Sequence, residues 1–278
     1  MNNMSPDSQC LRSVSALRLS KSNFAKSLRT ESIAEEQPLH ITIKHHGSLG
    51  LTLCSPGNLD DLVVGFLFTG GFIEQLDDIL EIEWIDNNHC EVSLKYLPTL
   101  PGISANSISH SACGICRFDE LEHLPSRQTY WSEQPIPKHK FFEWFKELQL
   151  SQPQFIQSGG LHASALFSPV NGLIKVREDI GRHNSMDKLI GSVLKEQKFD
   201  RLSHTVLLLS GRAGFELLQK AARSGIAIVA AIGAPSSLAL DMARKFGITL
   251  LGFLKSERFN IYCHASRIEG IEDEIKDT

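Results

Sequence analysis

Two closely spaced cysteines are the residues of this sequence best suited to chemistry. Cys113 and Cys116 are separated only by Gly and Ile, and the polar residues before them show neither a helical nor a strand period. Apolar residues recur at helical spacing from Phe118 onward, which predicts a short helix beginning just after Cys116. A helix N-terminus and the adjacent Arg117 both favour the thiolate, the form of cysteine that attacks sulfur and binds metals. The motif therefore predicts sulfur, metal or redox chemistry on a loop.

The cysteine pair is compatible with three chemistries. Structural zinc sites usually take four ligands, and His110 and His123 could complete a set with Cys113 and Cys116. Redox pairs of the thioredoxin type directly follow a strand and open a long helix, whereas a polar loop precedes this pair. A sulfur relay needs an exposed thiolate that accepts sulfane sulfur as a persulfide and delivers it to an acceptor in a separate pocket.

A zinc deaminase is an alternative because a His-x-Glu motif precedes the pair. Deaminases combine H-x-E with P-C-x-x-C, and this chain has His89-Cys90-Glu91 upstream of the cysteines. Ala112 stands where that signature has proline. Apolar alternation at positions 90, 92 and 94 predicts a strand, on which a His and a Glu two apart are more often surface residues than a catalytic pair.

The composition of the chain indicates which kinds of partner and which cellular compartment suit this protein. With 278 residues, 22% of them charged, and a net charge of −4, the chain offers no basic field for nucleic acid. No apolar run approaches the ~20 residues of a bilayer crossing, so we expect no membrane association. Residues 1–34 are polar and basic and predict a disordered tail. The cysteines are too sparse for a disulfide scaffold and favour a reducing, cytoplasmic location; they are Cys10, Cys54, Cys90, Cys113, Cys116 and Cys263.

Residues 35–135 predict an α+β module that also carries the cysteine loop at 101–117. Strand-like runs at 40–44 and 49–53 form one hairpin, and runs at 80–84 and 90–94 form another. Between them, apolar residues at 59–67 have helical spacing, which Gly70 and Gly71 end.

Residues 136–278 predict an α/β domain with helices on both faces of a parallel sheet. After a helix at 141–150, two strands and a helix at 185–195, apolar strands alternate with short helices. Gly225 and Gly247 end the last two helices. The predicted strands lie at 163–167, 173–176, 205–209, 226–232 and 248–253, and the alternating helices lie at 215–223 and 238–246.

The carboxyl ends of the last three predicted strands carry small and polar residues, which predicts an anion site. Ligands of such sheets bind beyond these strand ends. Two of the loops lead into helices, whose free N–H groups suit phosphate, and Arg212 and Arg258 can add bidentate contacts. Ser236 lies in the second of these loops.

The chain resembles the formate dehydrogenase accessory sulfurtransferases, the FdhD-type sulfur carriers, over about residues 35–268. The matching stretches are Cys113-Gly114-Ile115-Cys116, Ser158-Gly159-Gly160-Leu161-His162, Glu178-Asp179-Ile180-Gly181-Arg182-His183-Asn184 with Asp187-Lys188, Ser210-Gly211-Arg212, Ala234-Pro235-Ser236-Ser237-Leu238-Ala239, and Gly252-Phe253 leading to Arg258-Phe259-Asn260-Ile261-Tyr262.

This resemblance implies a specific activity. The family takes sulfur from a cysteine desulfurase and passes it to molybdenum bis(molybdopterin guanine dinucleotide), which formate dehydrogenase requires. Cys113 would carry the persulfide with Cys116 as helper. An α/β domain similar to the cytidine deaminase fold, a cytoplasmic location and a homodimer are implied as well. The implied cofactor-contact segment is Phe253, Leu254, Lys255, Ser256, Glu257 and Arg258.

Two departures and one further expectation accompany the resemblance. Arg117 stands where family members often have Gly, and Lys255 stands where they often have Arg, which removes the planar fork of a bidentate phosphate contact. We expect Arg182 and His183 to face the cofactor site, with Asp179 orienting them. A chaperone that hands over the cofactor without moving sulfur remains an alternative function.

Overall fold

The computed structural model describes residues 10–20, 26–96 and 128–271, so Cys113 and Cys116 lie outside the described residues. None of the helices in these ranges is long and apolar enough to cross a membrane. The strands are β1 (Leu11–Leu19), β2 (Lys26–Ala34), β3 (Gln37–Ile43), β4 (Gly47–Cys54), β5 (Ile79–Asp86), β6 (His89–Leu94), β7 (His162–Ser168), β8 (Gly172–Asp179), β9 (Val206–Leu209), β10 (Ile228–Ala231), β11 (Thr249–Gly252) and β12 (Asn260–Cys263). The α-helices are α1 (Leu59–Thr69), α2 (Lys138–Leu150), α3 (Pro153–Ser158), α4 (Arg182–Lys195), α5 (Phe215–Arg223) and α6 (Ser237–Phe246).

The N-terminal half is built on a small sheet with strand order β4-β3-β6-β5. The two predicted hairpins and the helix between them are confirmed, and β3 and β6 pair in parallel to join the hairpins. Alternate residues of β3 are buried because one face of the sheet packs on α1, whereas the opposite face is more open. The buried residues of β3 are Leu39, Ile41 and Ile43.

The C-terminal half is built on a large sheet with strand order β12-β11-β10-β9-β7-β8. The predicted parallel series is confirmed, since β9, β10 and β11 pair in parallel. Strands β7, β8 and β12 are antiparallel to their neighbours. Two short elements, α3 and β12, were not predicted from the sequence. The N-terminal N–H groups of α3 are bound by Glu178 of β8, a tertiary contact that no local pattern encodes.

Helices cover both faces of the large sheet. On β9, Val206 and Leu208 point into the cluster that contains α2, whereas Leu207 and Leu209 point towards α4, α5 and α6. Strand β10 alternates in the same way. Burial on both faces explains why these strands are continuously apolar.

The two sheets share one hydrophobic core through the crossing of α1 and α4. Gly65 of α1 and Gly191 of α4 lie at this crossing, where a methyl group would overlap backbone oxygens of Asp187 and Asp61, respectively. Only glycine allows so close an approach of two helix backbones. Buried residues form a continuous cluster from the small sheet through these helices to the large sheet. The division at residue 135 therefore separates two sheets but not two cores.

The N-terminal segment differs from the disordered tail that we expected. Strands β1 and β2 pair over their whole length in an antiparallel hairpin, which we call the arm. Its side chains are mostly exposed, and no clear alternation of apolar residues marks the strands in the sequence. The arm is defined by the pairing of its two backbones and has no buried face. The composition of the segment therefore could not reveal the arm.

Candidate functional site

The loops that follow β9, β10 and β11 form one continuous platform at the carboxyl end of the large sheet. The Gly233 N–H donates to the carbonyl oxygen of Gly211 (2.9 Å), and the Phe253 N–H donates to that of Gly233 (3.0 Å). The Ser236 N–H donates to the carbonyl oxygen of Ala213 (3.0 Å). Backbone pairing thus continues past the strand ends and brings the predicted ligand loops side by side.

Glycines allow these loops to lie so close together. A Cβ on Gly233 would lie 3.0 Å from the carbonyl oxygen of Gly211, and one on Gly252 would lie 2.9 Å from Pro235 Cδ. Both distances are shorter than ordinary contacts, so larger residues would push the loops apart. The Gly-rich character of these segments therefore serves the packing of the platform.

The N-terminus of α4 is fixed beside the platform by the buried carboxylate of Asp179. This carboxylate accepts hydrogen bonds from the N–H groups of Ser55 (3.0 Å) and Gly181 (2.8 Å) and pairs with Lys188 (2.7 Å). Burial raises the pKa of Asp179, and these partners oppose that shift. Asn184 also donates to Asp179 (3.3 Å). Asp179 therefore anchors the start of α4, which carries Arg182 and His183, to the end of β4.

His183 and Arg182 occupy the first turn of α4. His183 Nε2 lies 2.8 Å from Glu216 Oε2 in the first turn of α5, and the histidine is 5% exposed. Arg182 is half-buried. The His183–Glu216 contact ties the N-termini of α4 and α5 together and places a carboxylate near the platform.

His162 belongs to the same cluster, although the sequence analysis did not select it as a site residue. Its pKa is lowered, first by burial and then by the positive charges of Arg182 and His183, with Arg212 acting in the same direction. A Cβ on Gly211 would lie 3.2 Å from His162 Nδ1. His162 is the first residue of β7, and because β7 is antiparallel to β9, its start lies at the carboxyl end of β9. The antiparallel direction of β7 relative to β9 was the signal that could have identified His162 as a site residue.

The segment after β11 combines one buried and several exposed side chains. Phe253 has a left-handed backbone (φ 52°) and is 43% exposed at the platform. Leu254 is fully buried in the core on the α2 side, so its side chain is not available to a ligand, contrary to our expectation for this residue. Lys255, Ser256, Glu257 and Arg258 are exposed, and the Lys255 N–H donates to the Arg258 carbonyl oxygen (2.9 Å).

The helix N-termini at the platform differ in how they are capped. Ser236 accepts a hydrogen bond from the Ala239 N–H (3.2 Å), so its hydroxyl caps α6. Within the described residues, α4 and α5 have glycine as the N-cap residue and no side-chain cap hydrogen bond. No atom of the part of the chain that the structure describes lies within 4 Å of a Cβ on Gly214, the N-cap residue of α5. Uncapped helix N-termini beside exposed Arg212 suit an anionic ligand with several oxygen atoms.

The buried cysteines are not part of this site. Burial raises the pKa of Cys54 and of Cys90 to about 12, so both remain thiols at neutral pH. Cys90 lies on β6 with its side chain in the core. The neighbouring His89 stacks on His40 with a centroid distance of 4.8 Å and contacts the Thr42 hydroxyl. The described residues contain no group of three or more His, Cys, Asp or Glu side chains placed to hold a metal ion.

The sequence profile of the FdhD/NarQ family matches residues 34–269, which include the platform, the start of α4 and His162. The chain belongs to the FdhD/NarQ family. Two relatives in this family are each named sulfur carrier protein FdhD. The protein from Saccharolobus solfataricus is 36% identical over 86% of this chain and 91% of its own length. The protein from Streptomyces avermitilis is 36% identical over 88% of this chain and 91% of its own length.

A solved structure has the same fold. The crystal structure of a protein described as a formate dehydrogenase accessory protein from Desulfotalea psychrophila superposes with a TM-score of 0.73. It is 24% identical and covers 93% of this chain and 99% of its own. At this identity the likeness supports the fold, and the FdhD/NarQ membership itself rests on the sequence matches.

Proposed function

We propose that this protein is a sulfur carrier of the cytoplasm, a sulfurtransferase that works by persulfide relay. It takes sulfur from a cysteine desulfurase onto Cys113 and passes it to molybdenum bis(molybdopterin guanine dinucleotide), the substrate that accepts the sulfur. The product serves a formate dehydrogenase. Membership in the FdhD/NarQ family and the names of the relatives support sulfur carriage.

The proposal that the sulfur acceptor binds at the platform rests on the cationic groups that converge at the strand ends. Arg182 and Arg212 both lie close enough to His162 to lower its pKa, and the uncapped N-termini of α4 and α5 meet at the same platform. Lys255 and Arg258 extend the charge along the neighbouring loop. Guanidinium groups and free helix N–H groups are the donors that bind diphosphate oxygens. The residues present thus fit a phosphate-rich ligand.

The apolar component of the platform fits the rest of such a ligand. Phe253 presents an aromatic side chain to solvent on a constrained backbone, next to Lys255. Aromatic side chains stack on nucleobases at a gain of ~1–3 kcal/mol per base. Phe253 would therefore hold a guanine ring while the neighbouring cations hold the phosphates.

The sulfur step uses the two cysteines, a persulfide donor and a dithiol reductant that returns the resulting Cys113–Cys116 disulfide to two thiols. The Cys113 thiolate attacks the outer sulfur of the donor persulfide; that S–S bond breaks, the donor cysteine leaves as a thiolate, and Cys113 becomes the persulfide. The Cys116 thiolate can then attack the inner sulfur at Cys113, forming a disulfide and releasing hydrosulfide. Arg117 beside Cys116 favours the thiolate forms that these attacks require.

Mass spectrometry tests the carrier function. After incubation with a cysteine desulfurase and cysteine, the intact protein should gain the mass of one or more sulfur atoms, and Cys113→Ala should not. Cys10→Ser is the matched control, because Cys10 is a half-buried thiol that donates to the Pro56 carbonyl oxygen (2.9 Å) and should leave loading unchanged. Full loading of the Cys113→Ala protein would contradict the proposal.

Two further measurements separate the alternatives. If Cys113→Ala still supports full formate dehydrogenase activity in cells, the protein is a cofactor chaperone that does not move sulfur. If the purified protein holds stoichiometric zinc that is lost in Cys113→Ala and Cys116→Ala, the pair is a metal site, as in a zinc hydrolase. A persulfide-bearing, zinc-free protein supports the carrier function.

A further inference from the structure

The backbone of His162 is fixed at the edge of the platform. Ser210, the residue that follows β9, accepts a hydrogen bond from the Ala163 N–H through its hydroxyl (2.7 Å), and its own N–H donates to the Ala163 carbonyl oxygen (2.9 Å). On the other side, His162 is the register partner of Asp179 at the end of β8. The first residue of β7 is therefore held between the ends of two neighbouring strands.

The imidazole of His162 lies against the loop that carries Arg212. A Cβ on Gly211 would lie 3.2 Å from His162 Nδ1 and 3.4 Å from Cε1. A side chain at position 211 would press on the ring, so glycine is what lets the ring and this loop lie side by side. His162 is half-buried, which leaves part of the residue accessible to a molecule on the platform.

The charged groups that face His162 come from three parts of the fold. Arg182 and His183 stand in the first turn of α4, Asp179 ends β8, and Arg212 follows β9. Burial has the largest effect on the imidazole, the arginines and His183 also oppose its protonation, and Asp179 favours it. The net result is a lowered pKa, so the imidazole is neutral at neutral pH and can accept a proton.

The other proton acceptors of this cluster are already occupied. Asp179 pairs with Lys188 (2.7 Å), and Glu216 Oε2 lies 2.8 Å from His183 Nε2. In the part of the chain that the structure describes, no hydrogen bond involves an imidazole nitrogen of His162. A molecule bound at the platform can therefore use the lone pair of this ring.

The acceptor step of the proposed sulfur transfer includes the movement of one proton. This inference rests on that proposed function, in which hydrosulfide leaves Cys113 and its sulfur becomes a ligand of molybdenum. Hydrosulfide arrives with one proton, whereas the sulfido ligand that it forms has none. An oxo ligand of the metal is displaced in exchange, and it needs one proton to leave as hydroxide. The exchange changes no oxidation state.

We propose that His162 carries this proton and is a catalytic residue of the acceptor step. The neutral imidazole takes the proton from hydrosulfide as the sulfur–molybdenum bond forms, and the imidazolium gives the same proton to the oxygen as the molybdenum–oxygen bond breaks. Hydroxide leaves and the imidazole is neutral again. The positive charges of Arg182 and Arg212 disfavour the imidazolium and thereby promote the second transfer.

A single-turnover assay of the full-length chain tests this step. Protein loaded with radioactive sulfur is mixed with the oxo form of the molybdenum cofactor, and the label that reaches the cofactor is followed between pH 5 and 8. His162→Ala and His162→Gln should each transfer sulfur about 10²-fold more slowly than the unchanged chain at pH 7.5. This ratio of rates should shrink below about pH 6.5, because the imidazole of the unchanged chain then becomes protonated.

Rescue by added imidazole separates proton transfer from a structural role. Imidazole should restore transfer by His162→Ala, and less basic imidazoles should restore it less. His139→Ala is the matched control, since His139 is exposed on α2, and it should transfer sulfur like the unchanged chain. All variants should keep the circular dichroism spectrum and the Kd for GDP of the unchanged chain.

Several results would overturn the role of His162. These are transfer by both His162 variants at the unchanged rate, a ratio of rates that does not vary with pH, slow transfer that imidazole does not restore, or a rise in the Kd for GDP that accounts for the loss. Sulfur loading of Cys113 is measured in the same samples by mass spectrometry. If the unchanged chain is not loaded, the sulfur carrier proposal fails; if all variants are loaded and transfer sulfur equally, only the role of His162 fails.

Discussion

At the scale of single residues, the platform gathers positive charge around a histidine that stays neutral. His162 lies near Arg182, His183 and Arg212, and burial adds to their effect in lowering its pKa. A neutral imidazole adds no charge to a site already rich in cations and can still exchange a proton with a bound ligand.

Replacing Arg212 should weaken binding of a guanine nucleotide. Hydrogen bonds to charged groups contribute ~1.5–3 kcal/mol, so Arg212→Ala should raise the Kd for GDP roughly tenfold or more in isothermal titration calorimetry. Lys146→Ala is the matched control, since Lys146 is exposed on α2, on the other face of the large sheet. Equal binding by both variants would place the nucleotide elsewhere.

Replacing His162 should flatten the pH dependence of stability in mild acid. The pKa of His162 in the folded protein lies below its ordinary value of 6.5. As pH falls through 6.5, the unfolded chain binds a proton that the folded chain resists, so the free energy of unfolding decreases. His162→Gln removes this contribution, and urea denaturation between pH 5 and 8 should show a smaller loss of stability below about pH 6.5. An unchanged slope would contradict the assignment.

At the scale of secondary structure elements, the crossing of α1 and α4 depends on two glycines. Neither position has a special backbone conformation, but each allows the two helix backbones to touch. The helix spacing predicted both helices, whereas their contact is a tertiary property that the sequence pattern did not reveal.

Gly65→Ala and Gly191→Ala should each destabilise the protein strongly. The added methyl groups would overlap backbone oxygens of Asp187 and Asp61, which cannot move without separating the helices. Overpacking of this kind costs ~1–3 kcal/mol or more, measured as the free energy of unfolding in urea. Gly50→Ala is the control, because its Cβ would lie 3.9 Å from the nearest atom, Phe66 Cζ. Similar stability of all three variants would show that the helices can separate at little cost.

Sequence patterns predicted most elements because their signals are local. The alternation of β3 and the helical spacing of α1 reflect burial on one face, and Gly247 ends α6 in the left-handed conformation expected of a C-cap. The arm and β12 were not predicted because strand pairing defines them, and α3 was not predicted because its N-terminus is capped by Glu178, which lies far away in the sequence. Within the site, the strand-end rule predicted Arg212 and Arg258, and these residues follow β9 and β11. The burial of the Leu254 side chain and the position of His162 depend on packing and strand direction, which local patterns do not encode.

At the scale of the whole molecule, buried hydrogen bonds and ion pairs connect the two halves of the chain. Asp187 of α4 accepts hydrogen bonds from Lys220 Nζ (2.8 Å) and from the Thr69 hydroxyl of α1 (2.7 Å). Asp61 of α1 pairs with Arg177 of β8 (2.9 Å). Such pairs fix one relative arrangement, because removing one partner leaves a buried charge uncompensated.

Lys220→Met should therefore cost about 3–5 kcal/mol of folding free energy, since it leaves the carboxylate of Asp187 buried without its cation. The side chain of Asp187 is only 2% exposed. The double variant Lys220→Met with Asp187→Leu should recover part of the loss, because no charge is then left unpaired. Thermal denaturation of the two variants measures the difference; equal Tm values would contradict the interpretation.

The shared core has a practical consequence for dissecting this protein. A gene cut at the codon for residue 135 would yield two polypeptides, each missing one side of the α1–α4 crossing and leaving a broad apolar surface in water. Such pieces should precipitate when produced singly and become soluble only when produced together, where each shields the other.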